Sequence, residues 1–195
     1  KINKMGYDFQ FLLANYYDDI ALGGGWAGNI KNAGFKGEIT YFMSEESSEK
    51  NSTSLSTSID YSFKNGFYIL GSHLYNSNGF SDPQQFDPHS VTQNVLSPKN
   101  LMPSKNSYLI QASAFITPAI NTSFTLLYGE GINFFFFSPN ISYDINSSLD
   151  ASIIGQFFYM DDEFNSDIIT IDTDIAPINT ISRINGYYAR LKWSF

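Results

Sequence analysis

Leu55-Ser56-Thr57-Ser58-Ile59-Asp60-Tyr61-Ser62-Phe63 alternates without a break. Leu55, Thr57, Ile59, Tyr61 and Phe63 fall on one side, and Ser56, Ser58, Asp60 and Ser62 on the other. Successive side chains of a strand point to opposite faces, so this pattern predicts a strand between an apolar and a polar environment. On a helix, with 3.6 residues per turn, the same residues would smear around the axis. The run stops at Lys64-Asn65-Gly66, whose Asn and Gly favour a tight turn.

The same period recurs along the chain in about ten stretches. Before residue 55, Tyr7, Phe9, Phe11 and Leu13 oppose Asp8 and Gln10. Ile20, Leu22, Gly24 and Trp26 follow, and then Phe35, Ile39, Tyr41 and Met43 oppose Lys36, Glu38 and Thr40. After it, residues 67–77 place Tyr68, Leu70 and Leu74 opposite His73. Ile110, Ala112, Ala114 and Ile116 then oppose Gln111 and Ser113. Phe124, Leu126 and Tyr128 share a side in 122–130. Phe135, Phe137, Ile141, Tyr143 and Ile145 face away from Ser138, Asn140, Ser142 and Asp144. Leu149, Ala151, Ile153, Phe157 and Tyr159 oppose Asp150, Ser152 and Gln156, and residues 184–195 close the series. The stretches run about 9–13 residues, the length that a tilted strand needs to cross a bilayer. Two features predict interruptions. Pro139 lacks a ladder donor and predicts a bulge or strand end, and Gly23-Gly24-Gly25 predicts a kink.

The connectors alternate as well. Lys64-Asn65-Gly66, Thr117 to Asn121 and Ile145 to Ser148 are short, whereas 45–52, 78–106 and 161–182 are long and polar. Outer-membrane barrels have short periplasmic turns and longer outer loops. With Phe195 on the periplasmic side, counting back puts every long stretch outside. This requires short outer links near Asp18-Asp19 and Gly129-Glu130-Gly131. A soluble β-sandwich also has alternating strands, but it would bury the aromatic side in a core.

Composition agrees. The 195 residues fit one domain, here 1–195. A net charge of −8 with 15% charged residues excludes the basic footprint of a nucleic-acid binder. The aromatic content of 17%, including 18 Phe and 13 Tyr, accompanies a slightly negative mean hydropathy of −0.18. Strands that show alternate residues to lipid and to a polar interior produce that combination. There is no cysteine, hence no disulfide framework or thiolate metal site. The longest apolar run, Ile132 to Phe137, is far short of a membrane-spanning helix. Opening at Lys1, the chain reads as a processed mature protein or as the C-terminal portion of a longer one.

At the C-terminus, Phe195, Trp193, Leu191, Ala189 and Tyr187 share one side, and Ser194, Lys192, Arg190 and Tyr188 the other. This strand resembles the C-terminal β-signal of bacterial outer-membrane proteins, which ends in a terminal aromatic. The resemblance covers the last tenth of the chain. It implies recognition by the barrel-assembly machinery through Tyr187, Leu191, Trp193 and Phe195. The stretch from Tyr7 to Phe42 is similar in cadence to Gram-negative porin-like barrels. Together these imply an all-β, antiparallel transmembrane barrel of about ten strands, either complete or the C-terminal part of a larger one.

Candidate chemistry is sparse. Ser72-His73-Leu74-Tyr75-Asn76-Ser77 resembles the His-x-Ser-Asn pattern of lipid A deacylases, but Tyr75 stands where that family needs the serine, and Ser77 is four residues away. The plainer expectation is a His73 that faces the interior. His89 lies in the 78–106 loop and would need carboxylates brought by other loops. Carboxylates crowd 161–182, and Asp161, Asp162, Asp172 and Asp174 are the weak candidates for a hard cation, without EF-hand spacing. The expectation is therefore no enzyme and no cofactor. Asp8, Gln10, Lys36, Glu38, Asp60, Gln111, Asp150, Gln156, Arg190 and Lys192 are expected to line the interior. Charges there must pair or stay wet. A lumen with both signs sets up a field for polar solutes, which predicts a porin-like channel gated by loops 78–106 and 161–182. One alternative is a non-conducting barrel that anchors or scaffolds partner subunits of an envelope complex, and a third reading is a barrel-embedded hydrolase. The small Ala112 and Ala114 would let such a partner approach.

Overall fold

The computed structural model of the protein describes residues 2–44, 50–82, 97–160 and 183–194. They form strands and connections only: β1 (Ile2–Lys4), β2 (Tyr7–Tyr16), β3 (Asp19–Ile30), β4 (Ala33–Ser44), β5 (Ser52–Ser62), β6 (Tyr68–Asn76), β7 (Asn106–Thr117), β8 (Ile120–Glu130), β9 (Phe134–Asn146), β10 (Leu149–Tyr159) and β11 (Arg183–Trp193). All join one 11-stranded antiparallel sheet whose spatial order is the chain order. β2 to β11 correspond to the ten expected stretches. β1 is additional: its three residues pair with Tyr7 to Phe9, across a turn in which Met5 and Gly6 both take positive φ. Such two-residue hairpins match the strand twist. Strand contacts among the described residues run only between chain neighbours, so β11 does not touch β1 or β2.

Neither Gly23-Gly24-Gly25 nor Pro139 ends its strand or shifts its register. β3 pairs residue by residue with β2 and β4 straight through Gly23-Gly24-Gly25. Neighbouring side chains close the gaps: a Cβ on Gly25 would lie 3.0 Å from the Gln10 amide nitrogen. β9 also continues through Pro139, which pairs with Phe124 on β8. On the β10 side, Ser138 and Pro139 have no assigned partner, yet the register is the same before and after them. The missing proline N–H therefore costs ladder bonds without shifting the strand. Gly155 makes room for the ring, since a Cβ there would lie 3.3 Å from Pro139 Cγ.

The register defines two faces. Asp8 pairs with Ala27, Ala27 with Lys36, Lys36 with Ser58 and Ser58 with Ser72, so these side chains project together. This polar face is also the covered one, with Asn76, Ser52, Ser54, Ser107 and Ser152 buried. The other face carries Phe9, Phe11, Leu13, Leu22, Ile39, Ile59, Ile110, Phe124, Ile141, Ile153 and Leu191, all exposed. Phe11 is 75% exposed and Ile153 68%. A soluble sheet does the reverse, because removing apolar area from water is its main driving force.

Candidate functional site

Asp8, Gln10, Lys36, Glu38 and Asp60 stand on the polar face of neighbouring strands β2, β4 and β5. β3 gives them room, because it sends only Gly25 and Ala27 into the same stretch. The result is an open cavity of about 330 Å³ lined by Asp8, Gln10, Lys36, Glu38, Ser56 and Ser58, among others. Lys36 Nζ lies 3.7 Å from Asp60 Oδ1, and the lysine is more than half exposed. Both signs of charge therefore remain hydrated here, where polar solutes can compete for them.

A second charged group sits across the sheet. Asp150 stands between Asp144 of β9 and Lys192 of β11 in the register, with Arg190 beside Ser152 one pair further on. Gln111 projects on the same face next to Leu70, and Gln156 next to Gly186. Tyr187, Leu191 and Trp193 project from the apolar face. Phe195 and the carboxylates Asp161, Asp162, Asp172 and Asp174 lie outside the described residues, as do His89 and the whole of the 161–182 loop. Among the described residues no cluster of His, Asp and Glu could hold a metal ion.

The end of the polar face where the longer connections emerge is built differently, and nothing in the alternation announced it. Ser97 and Asn100 exchange backbone hydrogen bonds around a tight turn with Pro98 and Lys99 at its tip. This turn reaches sideways over the sheet. The Asn76 amide, fully buried at the end of β6, donates to Asn100 Oδ1 at 2.7 Å and to the Met102 carbonyl at 3.0 Å. Ser54 Oγ of β5 donates to the Pro98 carbonyl at 3.0 Å. Lys99 pairs with the buried Asp19 carboxylate at the start of β3. Phe80 and Ser104 bridge the two limbs of the connection. Residues 97–105 are thus a strap seated from β6 to β3.

Beside the strap lies the main apolar cluster. Ile132 and Phe134 are buried, with Phe80, Met102, Leu127, Phe136, Phe158 and Met160 packed around them. Phe134 stacks on Phe158 with ring centroids 5.4 Å apart. Gly131 (φ 93°) turns the chain back against Phe80 and Ser81, and a side chain at that position would strike their backbone. The polar face is consequently apolar and filled at this end of its β6–β10 half, while its β2–β5 half stays charged and open below the strap.

His73 does not face this interior. It pairs with Tyr108, stacks on that ring at 5.0 Å and meets Asn106 Oδ1 at 3.1 Å, all on the apolar face. The expectation failed because β6 has apolar residues on both sides: Tyr68, Leu70 and Leu74 point to the polar face, and Ile69 and Tyr75 to the other. Ala112, offered as a place for close approach, is already buried by its neighbours.

The apolar face is zoned along the strands. Near the short turns lie Tyr7, Trp26, Phe35, Tyr61, Phe63, Tyr143 and Trp193. Near the long connections lie Tyr41, His73, Tyr75, Tyr108, Tyr128, Phe135 and Tyr159. Between them Leu13, Leu22, Ile39, Ile110, Leu126, Ile153 and Ala189 make a band richer in aliphatic residues, which also holds Phe11, Phe124, Phe137, Phe157 and Tyr187. Trp26 lies over Gly37 next to Phe35, where an alanine would collide with the indole. No protein-family model, curated protein or solved structure matches this chain.

Proposed function

We propose that this chain forms the wall of a bacterial outer-membrane β-barrel that passes small polar solutes. The observation that carries the reading is the exposed apolar face, a band richer in aliphatic residues between two belts rich in aromatic rings. Such belts mark the two membrane–water interfaces of transmembrane barrels. Strands of 9 to 13 residues from β2 to β11 suit the thickness of a bilayer. In lipid the free N–H and C=O groups of the two sheet edges must find strand partners, so the functional state is a closed ring. Solute would pass along the charged β2–β5 lane, and β11 would be the strand read by the assembly machinery. Purified, folded protein is expected to give discrete conductance steps in a planar bilayer, and silence there would refute the channel.

A second reading has its own support. The apolar cluster around Ile132 and Phe134 fills part of the polar face, as expected of a barrel that scaffolds rather than conducts. Stable insertion into vesicles without current would favour it.

A further inference from the structure

We propose that the Lys99–Asp19 ion pair is a latch that holds the 97–105 strap across the outer end of the polar face and controls access to the charged lane below. The proposal rests on the channel reading. It starts from the placement of the strap's tip. Pro98 and Lys99 reach three strands away from the base of the connection, where Ser54 donates to the Pro98 carbonyl and Lys99 pairs with Asp19. The base is fixed separately by Asn76 and by the Phe80–Ser104 bridge. Tip and root are thus seated by separate contacts.

Asp19 makes the latch two-state. Its side chain is 4% exposed, and Oδ1 is buried with no hydrogen-bond partner, so Lys99 supplies the charge that permits this burial. A carboxylate deprived of its cation in such a place is strongly unfavourable. Release of Lys99 thus requires water to reach Asp19, and the tip must move aside to admit it. Lifting of the strap and wetting of the β3–β5 mouth become one event. Ser54 ties that event to the lane, since Ser56 and Ser58, two and four residues further along the same face of β5, line the charged cavity.

The absence of native cysteine makes the test direct. Ser56→Cys is placed below the strap in the full-length protein in vesicles, and its reaction with a charged, membrane-impermeant methanethiosulfonate is timed from the outer side. Lys99→Met and Asp19→Asn are each expected to speed labelling by about tenfold, the equivalent of roughly 1.4 kcal/mol of latch strength. Lys99→Arg, which keeps the charge, should leave the rate unchanged. Lys99 lies on a connection, so Lys99→Met keeps the test alive if Asp19→Asn fails to fold. Equal rates in Ser56→Cys with and without Lys99→Met, both folded, overturn the latch, whatever the current does. Faster labelling in a barrel that carries no current supports the latch and refutes the channel.

Discussion

Ile153→Lys separates a lipid-facing sheet from a water-facing one by its magnitude. Ile153 stands mid-strand on β10, between Ile141 and Ala189, and is 68% exposed. If that face meets water, lysine there falls within about ±0.5 kcal/mol, as surface substitutions do. If it meets lipid, a lysine near the midplane of a transmembrane barrel costs about 2–4 kcal/mol. At 1.4 kcal/mol per decade, this lowers the folding equilibrium constant roughly 30- to 700-fold. Ser56→Lys is the control. It adds the same charge on the polar face opposite Glu38, where the cavity stays wet and the cost should remain below about 1 kcal/mol. The assay is reversible urea unfolding in phospholipid vesicles, followed by tryptophan emission. Equal stabilities of the two variants would refute the lipid-facing assignment, and with it the membrane reading of the belts.

Asn76→Ala removes the donor to Asn100 and Met102 and the acceptor of the Asn78 N–H, and so should cost about 1–3 kcal/mol and speed amide exchange at Lys105 and Asn78. Gly37→Ala sets a methyl against the Trp26 ring and 2.8 Å from the Ser56 carbonyl. It should cost about 1–3 kcal/mol and shift Trp26 emission, read in a Trp193→Phe background. Lys36→Met breaks an ion pair that is more than half exposed on the lysine side, so unfolding should change by less than about 1 kcal/mol. The reversal potential in a salt gradient should nonetheless move toward cation preference, and an unmoved potential would exclude Lys36 from the conducting path.

Where one side of a stretch was polar, period two located the strand and its faces, as at Leu55 to Ser62. β1 was illegible because three residues cannot display a period. In β6 the two sides were separated correctly, but which one faces the interior was not legible, since both are apolar; in β9 the side of Phe135 and Phe137 was legible, but not that Phe134 and Phe136 opposite would be packed. The strap explains this: the inner side chains of β8–β10 there pack a local core rather than line water. The strap itself was beyond reach, because Ser54 and Pro98 lie 44 residues apart and a polar loop gives no sign of where its tip will land. The charged residues were legible as one face, but not as two separate groups on it, one on β2, β4 and β5 and one on β9 to β11.

The seating of the strap has a consequence for the order of assembly. Asp19, Ser54 and Asn76 stand on three different strands, which must lie side by side before Lys99, Pro98 and Asn100 can all meet their partners. The 97–105 connection is therefore fixed late, after β3 to β6 have paired, and its protection from amide exchange should follow theirs.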